Sequence, residues 1–174
     1  MFIIFGGLPG CGKTTLAQRL AVAIKALYLR VDSIEQAIRC SGILVPDRDM
    51  GPTGYMAICR IAADNLELGH SVIADSVNPI AVTREAYRAV AKQVGVDFFE
   101  VEVVCSDKAV HRHRVETRQC TVEGLTLPGW AQVENLRYDT WDGSPLRLDT
   151  SCLPVEHNVA TLIAAIANMN RAKA

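Results

Sequence analysis

The sequence predicts an α/β fold, a mainly parallel sheet of five strands with helices on both faces, and three observations carry that prediction. Apolar runs of strand length alternate with amphipathic runs of helix length along the whole chain, the pattern of successive βαβ units. The first run enters a glycine-rich turn, GLPGCGKT at residues 7–14, that opens a helix. The length of 174 residues suffices for one domain with a real core and is short for two, so residues 1–174 read as one domain with one active site.

In chain order, FIIFG (2–6) is a short apolar run closed by glycine and reads as the first strand, followed by a helix over 13–25. LYLRV (27–31) is rich in strand formers, and 33–40 reads as a short amphipathic helix. Residues 41–54, SGILVPDRDMGPTG, hold two prolines and three glycines and so form a loop or arm. A helix over 53–68 stops at Gly69, the strand SVIAD (71–75) follows, and a helix over 79–94 stops at Gly95, glycine being the usual C-terminal stop. FFEVEVV (98–104) is the fourth strand and 107–118 the next helix. Residues 119–130, QCTVEGLTLPGW, break that pattern before a further amphipathic piece, AQVENLRYDTW. Both irregular stretches have the length of functional flaps, with an incidental surface excursion as the alternative. The strand LRLD (146–149) and a helix over 156–170 complete the alternation.

Hydrophobic residues make up 49% of the chain and charged residues 21%, with a net charge of −1, which excludes a disordered chain and a strongly basic nucleic-acid binder. The six cysteines (Cys11, Cys40, Cys59, Cys105, Cys120, Cys152) form no CxxC pair and read as free thiols in a reducing cytoplasm. Residues 2–5 are too few for a signal-peptide core and no run reaches transmembrane length, so the expected setting is cytoplasmic, without a membrane.

GLPGCGKT satisfies the phosphate-loop pattern GxxxxGK[ST] through Gly7, Gly12, Lys13 and Thr14. Glycines let consecutive backbone N–H groups turn toward phosphate oxygens, and the helix N-terminus adds partial positive charge. Lys13 then reaches the β- and γ-phosphates and the Thr14 hydroxyl ligates magnesium. The expected nucleotide-binding set is Gly7, Gly10, Cys11, Gly12, Lys13, Thr14 and Thr15, with Thr150 after the last strand as a contact to the base or, equally, a cap. Cys11 sits near the helix's positive end, which favours a thiolate, and reads first as a packing residue, with oxidation sensitivity as a side effect. The bland alternative is a plain strand-to-helix turn.

Two aspartates end strands whose carboxyl ends line the ligand crevice of such a sheet. Asp32 there accepts a proton from an attacking hydroxyl, unless it or Ser33 merely caps the next helix. Asp75 holds a magnesium-bound water, orients the acceptor or is itself the base, with capping as its alternative. In HRHRVETRQC, Arg114 and Arg118 stand four apart, share a helical face and can converge on transferring phosphate, so residues 114–140 read as a lid. A solvated face or an RNA-binding patch are the alternatives. His111 and His113, two apart, face differently and do not make a metal pair. Arg39, Arg48 and Arg60 are candidate acceptor-site cations, each more often an ordinary surface arginine.

These motifs in this order (GLPGCGKTTLA, RVDS, SVIADSVNP, RVETR) resemble the small P-loop kinases grouped around the 5′-kinase domain of phage polynucleotide kinase. Zeta toxins, chloramphenicol phosphotransferase, adenylylsulfate kinase and gluconate kinase are related families. The resemblance implies a P-loop NTPase fold with five parallel strands in the order 2-3-1-4-5, Asp32 as general base, and Arg118 on the transferring phosphoryl group. It also implies ATP with Mg2+, and nothing like the guanine-reading NKxD motif occurs. Glu35 stands where the nucleic-acid kinase has arginine, which disfavours a polynucleotide acceptor. The PGW and YDTWDG stretches resemble a bacterial subgroup of ATP-binding predicted kinases. The expectation is a monomeric or weakly dimeric kinase that phosphorylates a hydroxyl of a small-molecule or nucleotide-like acceptor. The rivals are a regulatory ATP-binding NTPase module and an RNA-directed kinase.

Overall fold

In the computed structural model, which describes residues 1–42 and 50–171, five strands form one sheet. They are β1 (Phe2–Gly6), β2 (Leu27–Arg30), β3 (Val72–Asp75), β4 (Phe98–Val104) and β5 (Leu146–Asp149), all parallel, in the order β2-β3-β1-β4-β5. Among the described residues seven helices accompany them: α1 (Lys13–Ile24), α2 (Val31–Cys40), α3 (Thr53–Glu67), α4 (Ala81–Val94), α5 (Lys108–Thr117), α6 (Trp130–Glu134) and α7 (Val155–Arg171). β1 and β3 are buried throughout, which is why FIIFG and VIAD read as unbroken apolar runs rather than alternating ones. The partly exposed edge strands β2 and β5 carry the arginines Arg30 and Arg147.

Strand alternation divides the core in two. Ile3, Phe5, Ile73 and Val101 pack under Leu16 and Leu20 of α1 and Leu162 and Ile166 of α7. Phe2, Ile4, Val72 and Ala74 pack on the opposite face against Ile58 and Ala62 of α3, Tyr87 of α4 and Trp141. The sequence order reverses direction at β1, so the crevice of this sheet opens beyond the carboxyl ends of β1 and its neighbours.

Three of the differences from the sequence expectation bear on that crevice. α2 begins at Val31, directly after β2, with extended Arg30 as N-cap and no side-chain cap. Asp32 is therefore not a cap; its carboxylate stands in the first helical turn, at the positive end of the helix. α5 ends at Thr117, so Arg118 is its extended C-cap (φ −61°, ψ 143°), not a helical partner of Arg114. The amphipathic piece after Gly129 is helical only over Trp130–Glu134. Of the arginines expected near an acceptor, Arg39 and Arg60 are exposed on α2 and α3, and Arg48 lies outside the described residues. Among the described residues no helix is long and apolar enough to cross a membrane.

Candidate active site

A cavity of about 650 Å³ opens at the carboxyl end of the sheet. Its floor is the glycine turn: Gly10, Gly12, Lys13, Thr14 and Thr15 all line it. Gly12, the N-cap of α1, is left-handed (φ 94°) and has no side chain, and no side chain caps the α1 N-terminus, which leaves its positive end to the cavity that Gly12 and Lys13 line. Lys13 is 8% exposed and forms no ion pair with a described residue, so a nearly buried cation faces the cavity without a counter-ion. Such an arrangement stores an unmet demand for an anion.

Gly7 and Cys11, both expected at the nucleotide, are absent from the residues that line the cavity. Gly7 donates its N–H to the Val77 carbonyl at 3.0 Å and sits at φ +146°, where a Cβ would collide with the Val103 carbonyl. Cys11 is 1% exposed and packs in the core beneath α1, as a packing residue does; burial pushes its thiol up, opposing the pull of Lys13 and any tendency to a thiolate. The Cys11 carbonyl accepts from the Thr150 hydroxyl at 2.7 Å. Arg114 in turn donates to the Thr150 hydroxyl (2.8 Å) and carbonyl (3.0 Å). Thr150 lines the cavity, yet its hydroxyl proton is committed to the loop, so it joins Arg114 to the loop wall rather than presenting a donor to a base.

The two aspartates have separate environments. Asp75 is 1% exposed and does not line the cavity. Strand alternation turns it to the α1 face, where its Oδ2 accepts from the Tyr28 hydroxyl at 2.6 Å and its Oδ1 is buried with no partner. Burial and then the Asp75 charge push the Tyr28 phenol far up, so it remains a donor. Asp32 lines the cavity with its side chain 40% exposed. Arg30 grips only its Oδ2, through Nε (3.1 Å) and Nη2 (2.9 Å).

Residues 118–128 fold back over this arrangement. Arg118 lines the cavity, donates from Nη2 to the Pro128 carbonyl (3.1 Å) and keeps a buried Nε with no partner. Burial lowers its guanidinium from the ordinary value, with Asp32 acting the other way. Thr121, Leu125 and Leu127 close the far wall. His111 holds the base of the segment, its Nε2 2.9 Å from the Pro9 carbonyl and its ring edge-on to Trp130 at 5.3 Å. Among the described residues no three His, Cys, Asp or Glu side chains gather into a metal-binding group, and Arg112 pairs with Glu116 at 2.9 Å, which neutralises part of the HRHR run.

The cavity thus gathers Lys13, Thr14, Thr15, Asp32, Arg114, Arg118 and Thr150, and leaves Gly7, Cys11 and Asp75 outside its lining. Sequence reasoning missed Arg30 and Thr121, which meet across 91 residues, and the bond from His111 to the loop. The only available signal for Arg30 was its place two residues before Asp32.

Residues 2–127, more than half of the chain, match the AAA domain family. The chain belongs to that family. Its relatives by sequence include a protein of Aeropyrum pernix named as a probable adenylyl-sulfate kinase. That relative is 27% identical to this AAA domain protein over 174 residues, covering 92% of this chain and 88% of the relative. The APS kinase CysC of Mycobacterium tuberculosis, solved with AMPPNP and APS, is similar with a TM-score of 0.72 at 20% identity, over 95% of this chain and 96% of that one. A gluconokinase from Sinorhizobium meliloti 1021 is similar with a TM-score of 0.66 at 21% identity, over 96% and 91%. At these identities the structural likeness establishes the fold, that of the P-loop kinases.

Proposed function

We propose that this AAA domain protein is an ATP-dependent kinase that moves the γ-phosphoryl group of ATP to a hydroxyl of a small-molecule acceptor. One observation carries the reading: a single cavity joins a cation without a counter-ion, Lys13, to a carboxylate with an open oxygen, Asp32 Oδ1. The first suits a polyphosphate, and the second suits a hydroxyl that must lose its proton. The names of the relatives, an adenylyl-sulfate kinase and a gluconokinase, support a small acceptor. The finer likeness to the polynucleotide kinase group supports the same roles for Asp32 and Arg118.

In this reading the N–H groups at Gly10 and Gly12 and the Lys13 ammonium hold the β- and γ-phosphates, and Thr15 stands near the α-phosphate. The Thr14 hydroxyl, which lines the cavity, would hold magnesium there, and Asp75, buried outside that lining, would support it through its orphaned Oδ1. Magnesium, when bound, supplies neutralisation of the β- and γ-oxygens. Asp32 Oδ1 accepts the acceptor's proton while its oxygen bonds to the γ-phosphorus; the bridging bond breaks and ADP leaves. Arg114 and Arg118 face the charge that spreads over the equatorial oxygens. Residues 114–140 act as the lid that keeps water from taking the acceptor's place.

The test is ADP release from Mg·ATP with and without pooled sugars and polyols, nucleosides, aminoglycosides, amino-acid derivatives, adenylyl sulfate and oligonucleotides. One pool is expected to stimulate turnover, Lys13→Ala to abolish it, and Asp32→Asn to lower it by about 10² or more. Slow hydrolysis indifferent to every pool and to Asp32→Asn would replace this reading with a regulatory NTPase.

A further inference from the structure

Resting on the kinase reading above, we propose that Arg30 is a positioning residue that makes the orientation of the base Asp32 depend on the flap, through Thr121. Arg30 ends β2 with its side chain only 12% exposed, so the arginine is the fixed member of the pair and Asp32, at 40%, the open one. Its guanidinium is used on three sides. Nε and Nη2 both reach Asp32 Oδ2, and Nη1 donates to the Thr121 hydroxyl at 2.9 Å.

Neutralising a carboxylate is done best by a fork across both oxygens. Here both donors fall on one oxygen, and Oδ1 keeps its lone pairs with no partner among the described residues. That grip suits a group whose other oxygen must accept a proton. A planar guanidinium bonded on two edges has its plane fixed by both partners, so Thr121 sets the plane from which Asp32 is held.

The flap is pinned near this point at two further places. Gly124 lies at φ +74°, so close to α2 that a Cβ there would stand 2.7 Å from Gln36 Nε2. The Pro128 carbonyl accepts from Arg118, whose guanidinium senses the Asp32 charge. Lifting the flap therefore breaks the bond from Arg30 to Thr121 and the bond from Arg118 to the Pro128 carbonyl. The base is fully assembled only when the flap covers the site and water is excluded, which favours transfer over hydrolysis.

The experiment compares wild type with Thr121→Val, Thr121→Ser and Arg30→Lys in ADP release with the acceptor pool that stimulates turnover, together with the KM for ATP and the melting midpoint. Thr121 is exposed, so Val, equal in size and lacking only the hydroxyl, leaves the melting midpoint within about 2 °C. Thr121→Val is expected to lower kcat about tenfold with the KM for ATP changed less than about twofold, and Thr121→Ser to restore most of the rate. Arg30→Lys is expected to lose about 10² in kcat, because one ammonium cannot span both partners. A Thr121→Val kcat equal to wild type, an equal loss in Val and Ser, or a change confined to KM overturns the inference and leaves the kinase reading in place. A wild type no faster than the Lys13→Ala blank in every pool overturns the kinase reading and this inference with it.

Discussion

Arg84 is fully buried, yet no carboxylate among the described residues forms a salt bridge with it. Its Nε donates to the Asn78 carbonyl (3.2 Å), Nη1 to Thr140 (2.9 Å), and Nη2 to Pro79 (3.1 Å) and Asp139 (2.5 Å). The rings of Trp141 and Tyr138 lie 4.6 Å and 5.6 Å from its carbon. Replacing it with methionine keeps an apolar stem and removes every donor. Bonds from a charged donor are each worth about 1.5–3 kcal/mol, but the four act as one unit and do not add. Removing the guanidinium also removes its own burial cost of several kcal/mol, and water can reach carbonyls of the 139–140 segment. The expected net loss is about 2–4 kcal/mol, or about 5–15 °C in melting midpoint for a chain of this size. Arg84→Lys discriminates sharply: it keeps the cost of burying a charge without the planar fork, so it should be no more stable than Arg84→Met. Scanning calorimetry with urea titration measures both. A shift under about 2 °C for Arg84→Met, or a lysine variant clearly more stable than it, refutes the reasoning.

Three further outcomes are expected. Gly7→Ala forces a side chain onto the Val103 carbonyl at a left-handed φ, whereas Gly42→Ala, also at positive φ, meets open space; the first should cost about 2 kcal/mol more by urea titration. Asp75→Asn keeps an acceptor for Tyr28 and discards a buried charge with an orphaned oxygen, so its melting midpoint should hold or rise while the Mg2+-dependent shift produced by ATP disappears. With iodoacetamide, the exposed Cys40, Cys120 and Cys152 should be modified well before Cys11, whose thiol is buried and pushed up; mass mapping that finds Cys11 among the first would overturn its placement.

The alternation of runs, the glycine turn and the glycine stops after α3 and α4 are local signals, because periodicity and left-handed backbone are decided by near neighbours. They made five strands and six of the seven helices legible, and they located Lys13, Thr14 and Asp32 beside the crevice that the sheet creates. The end of α5 escaped the same reasoning: Arg118 leaves the helix to donate to the Pro128 carbonyl, a partner no helical period reports.

By itself the sequence determined the fold class and the glycine turn that opens α1, since each rests on a local pattern whose physics is contained in it. Only the tertiary structure separated the two aspartates, burying Asp75 against Tyr28 and leaving Asp32 open to the cavity. It alone joined Arg30 to Thr121 and Arg84 to the 139–140 carbonyls, and it set the Cys11 side chain in the core. Burial and long-range hydrogen bonds depend on which distant segments close over a residue, and that is settled only when the sheet and its helices pack.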